Sequence, residues 1–195
     1  MPHFHIRTTA HPEDATFILE AFDSALPHLA STGSGEQWGS QPRSNQPVFV
    51  KRVQDEVDKA RSGISDCDAV FVAEVVGDDV VAGCTESRCD EAGKQKKMFV
   101  KVAAAVVCGV FPGYVSEQGH LDPFVRGAVG RADFLYLSVM VSDFRTGGLR
   151  KGAGAVLAQC VKGFYEAQGF VVVDGFEARK GEGVWPGVLL RMDVE

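Results

Sequence analysis

Hydrophobic and polar positions along the chain change period several times, and each change predicts an element. Phe4, Ile6 and Thr8 alternate with His5 and Arg7, the two-residue period of a half-buried strand. His11-Pro12-Glu13-Asp14 has the residue types of a helix start, and Phe17, Ile18, Phe22, Ala25 and Leu29 follow at helical spacing. Pro27 is expected to kink or end that helix, and Ser31-Thr32-Gly33-Ser34-Gly35 predicts a loop. A second helix is expected from Pro47, with Phe49, Val53, Val57 and Ala60 as its apolar stripe and Gly63 as its cap. Ala69 to Val76 is β-branched and aromatic, and Gly77-Asp78-Asp79 leads to Val80-Val81-Ala82, which predicts a hairpin. Met98 to Val110 is apolar and valine-rich; periodicity fits a buried strand or a short buried helix, and strand is the expectation. Residues 119–131 read as a loop with room for a helical turn.

The last third is the most informative. Phe134 to Val141 is a nearly continuous run of strand-forming residues, as in a strand covered on both faces. A glycine-rich loop, Arg145 to Gly154, follows. Val156, Leu157, Cys160, Val161 and Phe164 then mark the apolar face of a helix that Gly169 stops, with Lys162 and Glu166 paired on its wet side. Phe170 to Val173 predicts a further strand, and strand, helix, strand in that order implies a right-handed crossover to a parallel or neighbouring strand. Val188, Leu190, Met192 and Val194 alternate at the end. The whole predicts an α/β (α+β) fold: a mixed central β-sheet flanked by helices, ordered β-α-α-β-β-β-α-β-β along the chain. With neither repeat nor linker, residues 1–195 are expected to form one domain.

Composition narrows the class. The 195 residues are 45% hydrophobic, enough to bury a continuous core, yet no apolar run approaches the roughly 18 residues that span a bilayer. The first residues lack a secretory pattern, and five cysteines without scaffold spacing predict free thiols and a cytoplasmic location. Cys84 and Cys89 lack a second ligand pair, so no metal is expected. A formal charge of -6 argues against nucleic acid as partner and favours a cationic small molecule.

Against that acidic background, the stretch between Asp143 and Glu166 holds no acid but has Arg145, Arg150, Lys151 and Lys162. Gly147, Gly148, Gly152 and Gly154 permit close backbone approach, and the amides at the start of the following helix would face a diphosphate. No Gly-Lys-Ser/Thr closes a Walker loop, and the third glycine of a dinucleotide fingerprint is absent. A glycine-rich strand-to-helix turn without a ligand has the same composition.

The strand Leu135 to Val141 followed by Gly152-Ala153-Gly154-Ala155-Val156-Leu157 resembles the acetyl-CoA motif of the GNAT superfamily of N-acetyltransferases. Phe164-Tyr165-Glu166-Ala167-Gln168-Gly169-Phe170 is similar to that family's next motif, and Trp185-Pro186-Gly187-Val188-Leu189-Leu190 to a microbial branch of it. The resemblance implies a GNAT-like fold and acetyl-CoA as cosubstrate. It would place the pantetheine arm along the main chain of Ser138, Val139, Met140 and Val141, and the pyrophosphate on Arg150 and the amides of Lys151, Gly152, Ala153, Gly154 and Ala155. Tyr165 would be the general acid, and a primary amine of a small molecule or peptide the acceptor. Glu36, in the loop after the first helix, and His120 are the candidate bases. Two departures stand out. Leu149 occupies the place of an Arg or Gln, and Gly152 to Gly169 has room for a single helix where the family has a helix, a strand and a second helix. A catalytically weak GNAT-like module that binds CoA or a protein is therefore the alternative, and an unrelated nucleotide or flavin binder with the same loop a further one.

Overall fold

The computed structural model describes residues 3–63, 68–77, 85–89, 96–111, 125–127, 135–167, 170–180 and 183–192. β1 (Phe4–Arg7) leads into α1 (Asp14–Ser31), the one-turn α2 (Gly35–Trp38), a 3-10 turn (Arg43–Asn45) and α3 (Pro47–Ser62). β2 (Ala69–Val76), β3 (Thr85–Cys89), β4 (Lys96–Cys108) and β5 (Tyr136–Ser142) follow. A 3-10 stretch (Phe144–Arg150) opens α4 (Ala153–Ala167), and β6 (Phe170–Lys180) and β7 (Gly183–Met192) close the described chain.

Local chemistry accounts for most boundaries. α1 starts at Asp14 as expected, with an acid in the first turn where the helix dipole favours it. It continues through Pro27 to Ser31 instead of ending there. Pro27 is exposed, so the one ladder bond it removes falls on the side where water can take its place. Pro47 lies in the first turn of α3, and Gly63 ends it in the left-handed region at φ 61°, where a Cβ would be strained. Glu36 belongs to the helical turn α2, not to a loop.

The main sheet has the order β1-β2-β4-β3, with β5 also paired to β4. β4 is long enough for two partners on one side: β3 takes Lys96 to Val100 and β5 takes Ala103 to Cys108. All these pairings are antiparallel, so the sheet is antiparallel and not mixed. Among the described residues four strands lie between α3 and α4, where the expected order has three. The additional one, β3, has the polar sequence Thr-Glu-Ser-Arg-Cys and owes its form to pairing with β4 rather than to an apolar pattern. The expected turn and partner strand at residues 78–82 lie outside the described residues, as does His120.

β6 does not join β5 in a parallel pair. It forms an antiparallel hairpin with β7, a separate two-stranded sheet running from Phe170 opposite Met192 to Lys180 opposite Gly183. A two-stranded sheet tolerates Pro186, because among the described residues each of its strands has one edge without a partner strand.

Val70 to Val75 of β2 and Val100 to Cys108 of β4 are buried without interruption, so both faces of the sheet are covered. α1 and α3 pack on each other and on one face, and α4 packs across β4, β2 and β5. Phe17, Ile18, Phe22, Val53 and Val57 fill the first layer, and Ala153, Leu157 and Val161 line the second helix layer. No helix among the described residues is long and apolar enough to cross a membrane.

Candidate functional site

The site is best followed along β5. Asp143, just past the strand, is fully buried, and its carboxylate accepts from the Arg145 amide at 2.9 Å and the Ser24 hydroxyl at 3.1 Å. The Ser24 oxygen in turn accepts from the Phe144 amide at 2.9 Å, which ties the turn to α1. The Arg145 guanidinium grips the same carboxylate, with Nη2 2.7 Å from Oδ2, and extends Nη1 to within 2.6 Å of Glu20 on α1. Arg145, expected to contribute to an anion site, is thus engaged by two carboxylates from outside the loop. Absence of acids from the local sequence does not exclude them from the local space.

Arg150 is arranged differently. Its guanidinium carbon lies 3.5 Å from the centre of the Phe144 ring, and its buried Nε has no hydrogen-bond partner. Lys151 is exposed, but its amide donates to the Gly148 carbonyl at 3.2 Å and so leaves the set expected to hold a pyrophosphate. Gly152, at φ 91°, turns the chain into α4; alanine in that conformation would cost roughly 1–2 kcal/mol. The first helical bond of α4 runs from the Val156 amide to the Gly152 carbonyl at 3.2 Å. No group among the described residues accepts from the N–H of Ala153, Gly154 or Ala155, as expected for a helix's first turn. Ala153 is buried, Gly154 half-buried and Ala155 exposed, so the turn is open on the side of Gly154 and Ala155.

From this turn back to Tyr136, β5 has β4 on one edge and no strand on the other among the described residues. The register with β4 slips between Val106 and Val107: Val106 stands opposite Val139 and Val107 opposite Leu137, leaving Ser138 as an extra residue. A bulge of this kind re-aims a side chain. Here the Ser138 hydroxyl reaches Glu56 on α3, 2.8 and 3.0 Å from its two carboxylate oxygens. Val139 and Val141 are buried, whereas Met140 is 47% exposed.

Glu56 and Ser138 line a cavity of about 330 Å³ between α3, the ends of β4 and β5, and Asp68 ahead of β2. Burial raises the Glu56 carboxyl above the usual range, against the opposing pull of the Ser138 hydroxyl, Arg52 and Lys59. Cys108, in the same wall, is pushed up to about 11 by burial and points its thiol at the Val110 carbonyl, 3.4 Å away. It is a protonated thiol at neutral pH, which removes it as a nucleophile. Glu56 carried no motif in the sequence, because its partner on β5 is 82 positions away and is turned toward it by the bulge.

The remaining predicted residues divide. Ser138 to Val141 run along β5 from the cavity wall, and the first turn of α4 lies beside the last residue of that strand, where a Cβ on Gly154 would stand 3.8 Å from the Ser142 hydroxyl oxygen. Tyr165 lies on α4 eleven residues beyond Gly154, roughly 16 Å by helical rise, and α4 is the single helix its sequence length required. The side chains of Tyr165 and Glu36 lie outside the described residues.

A second polar assembly occupies the opposite end of the sheet. Arg7, Asp14, Glu74 and Lys101 are at most 6% exposed. Arg7 pairs with Asp14 at 2.7 Å and with Glu74 at 2.9 Å, and Lys101 with Asp14 at 3.1 Å and with Glu86. Burial alone would lower the Arg7 pKa, but the hydrogen bonds and charges of the two carboxylates raise it instead. At the rim, His11, Glu13 and Glu86 bring one ligand atom each within 4.8 Å of one another, a spacing suited to a metal ion. Glu86, however, already neutralises the Lys101 ammonium, which would repel a second cation. The assembly is built as an internal ion-pair network.

Compared with known proteins, the chain matches no family model, no curated protein and no solved structure.

Proposed function

We propose that this protein is a GNAT-like, acetyl-CoA-dependent N-acetyltransferase that acts on a primary amine. The observation that carries the proposal is the arrangement along β5: a strand edge without a described partner, helix-start amides with no described acceptor near one end, and a cavity with a mostly buried carboxylate near the other. Ser138 and Ser142 are four residues apart, about 13 Å along an extended strand. A pantetheine arm laid beside β5 as an added strand would hydrogen-bond to the main chain of Ser138 to Val141. The amides of Ala153, Gly154 and Ala155, with Arg150 beside them, would hold the diphosphate.

Glu56 is the base in this proposal, in place of Glu36 or His120. A carboxyl raised by burial is better matched to taking a proton near neutral pH than an ordinary one. It accepts a proton from the acceptor ammonium; the freed amine attacks the acetyl carbonyl, forming the C–N bond as the C–S bond breaks, and the second proton of the attacking nitrogen passes to solvent, from which the proton donor to the thiolate is restored. Tyr165 is the proposed donor to the departing thiolate.

The pairing of Arg145 with Asp143 and Glu20, Leu149 in a family cation position and the single long α4 favour a second reading, a CoA-binding module with little or no turnover. A Gly154→Glu variant tests binding, and release of the CoA thiol measures turnover. An acid in the first turn suits the helix dipole, and a Cβ at Gly154 meets only the Ser142 oxygen, 3.8 Å away, so the fold should persist. Acetyl-CoA is expected to raise the melting temperature of the natural protein, whereas ATP and FMN do not, and to leave Gly154→Glu unmoved. Equal shifts in both proteins would dismiss the helix start as the diphosphate site. A shift without thiol release would leave the binding module.

A further inference from the structure

The cavity beneath Ser138 contains more than a base. Its charged walls come mostly from one face of α3. Lys51 and Asp55 satisfy each other at 2.8 Å on the solvent side. Arg52, one residue further on, does not share in that pairing. Its guanidinium carbon is 4.7 Å from the centre of the Phe49 ring, its Nε is buried, and it donates no hydrogen bond among the described residues. The nearest carboxylate oxygen, on Glu56, is 3.7 Å from Nε, close enough for attraction and too far for a hydrogen bond. A second guanidinium, that of Arg43, lies 5.4 Å from the centre of the same ring. Burial and the neighbouring charge of Arg52 both lower the Arg43 pKa. Two cations crowd one aromatic ring, and Arg52, which lines the cavity, donates no hydrogen bond among the described residues.

A carboxylate is the planar, bidentate acceptor that such a fork fits. Glu56, beside it, offers the complementary negative charge. The mouth of the cavity is apolar: Val48 is 86% exposed, Val110 58% exposed, and Phe111 packs edge-on against Tyr136 at 6.0 Å. We infer that the acceptor is a free α-amino acid with an apolar side chain, its carboxylate on Arg52, its ammonium on Glu56 and its side chain against Val48, Val110 and Phe111. The α-carbon of an amino acid separates its two charges by a single atom, which suits groups as close as Arg52 and Glu56. A peptide amine or a polyamine lacks the carboxylate at that spacing and leaves Arg52 without a partner.

The inference rests on the transferase reading for the fate of the amine, but binding to the cavity is measurable without acetyl-CoA. Leucine, leucine methyl ester and N-acetylleucine are titrated separately into the natural protein and into Arg52→Gln, by calorimetry or ligand-observed NMR. Leucine is expected to bind, and loss of either charge, in the ester or in the N-acetyl compound, to weaken binding by about tenfold or more. Arg52→Gln is expected to weaken leucine to the level of the ester while leaving the acetyl-CoA thermal shift in place. Ester binding equal to leucine, an unaffected Arg52→Gln, or no binding of leucine, valine or phenylalanine at millimolar concentration would overturn the assignment. If leucine binds but acetyl-CoA produces no shift, the transferase reading fails and the amino-acid site stands. If acetyl-CoA binds and no amino acid does, only the acceptor assignment falls.

Discussion

Replacing Glu56 by Gln is expected to lower acetyl transfer about 10²- to 10⁴-fold, the usual worth of a positioned general base, while leaving the protein as stable as before or more so at neutral pH. The two effects have one origin. Burial raises the carboxyl of Glu56, so the folded state favours its protonated form. Below the ordinary carboxyl pKa both folded and unfolded states hold the proton, and the group costs nothing. As pH rises from there through the raised value, the folded protein must ionise a carboxyl that burial disfavours, and stability declines. Glutamine carries no charge to bury and keeps an oxygen that accepts from the Ser138 hydroxyl, now 2.8 Å from a carboxylate oxygen. Melting temperatures of the natural protein and Glu56→Gln should therefore coincide in mild acid and separate toward neutrality, with the variant equal or higher. The transfer rate of the natural protein should rise with pH as Glu56 ionises, and that limb should be missing from the variant. Unchanged turnover in Glu56→Gln would remove the residue from the mechanism. Loss of stability and turnover together would make it a structural partner of β5.

How much of this could be read from the sequence depended on whether the determining contact was local. The start of α1 at Asp14, the limits of α3 at Pro47 and Gly63, the strand before the glycine-rich loop and the single helix after it are set by caps, turns and periodicity within a few residues. β3 was not legible, because Thr85 to Cys89 has no apolar alternation and becomes a strand by pairing with Lys96 to Val100. The antiparallel sheet and the separate β6–β7 hairpin were missed for a related reason: strand, helix, strand implies a parallel crossover only if the second strand returns to the same sheet, which β6 does not. Half of the candidate site was visible as a glycine-rich loop leading into a helix. The other half depended on a one-residue register slip, and a slip leaves no mark in composition. The ion-pair network did leave a signal. Glu74 stands inside the apolar run Ala69 to Val76 and Lys101 inside a valine-rich one, and a lone charge in a strand covered on both faces has to find a partner.

Asp14→Ala is expected to cost about 3–5 kcal/mol, a large share of the roughly 5–15 kcal/mol that holds a typical domain together. Asp14 is fully buried and accepts from both terminal nitrogens of Arg7, at 2.8 and 2.7 Å, and from the His11 amide at 2.8 Å, and it pairs with the Lys101 ammonium at 3.1 Å. Its removal leaves two cations, each at most 6% exposed, to share Glu74 and Glu86. The acid side of the stability curve follows from the same contacts. Burial would raise the Asp14 pKa, but the hydrogen bonds from Arg7 and the His11 amide, with the charges of Arg7 and Lys101, hold it below its ordinary value of 3.8. A depressed carboxyl contributes its stabilisation fully above the unfolded pKa and loses it as pH falls through the folded one. Denaturant midpoints of the natural protein should therefore drop steeply below about pH 4, while Asp14→Asn should start lower and fall less across that window. A second substitution, Arg7→Met, separates pairing from packing. If Asp14 acts through Arg7, the double variant Arg7→Met with Asp14→Asn should be less destabilised than the sum of the two single changes, and strict additivity would refute the pairing. None of these variants should alter the amino-acid cavity while the protein remains folded. Lys101 and Cys108 are seven residues apart on β4, about 23 Å along the strand, so the network supports the far end of the sheet and does not reach the proposed chemistry. Leucine binding by folded Asp14→Asn at the natural affinity is the expected result, and a parallel loss of binding and stability would mean that the two ends of β4 are coupled.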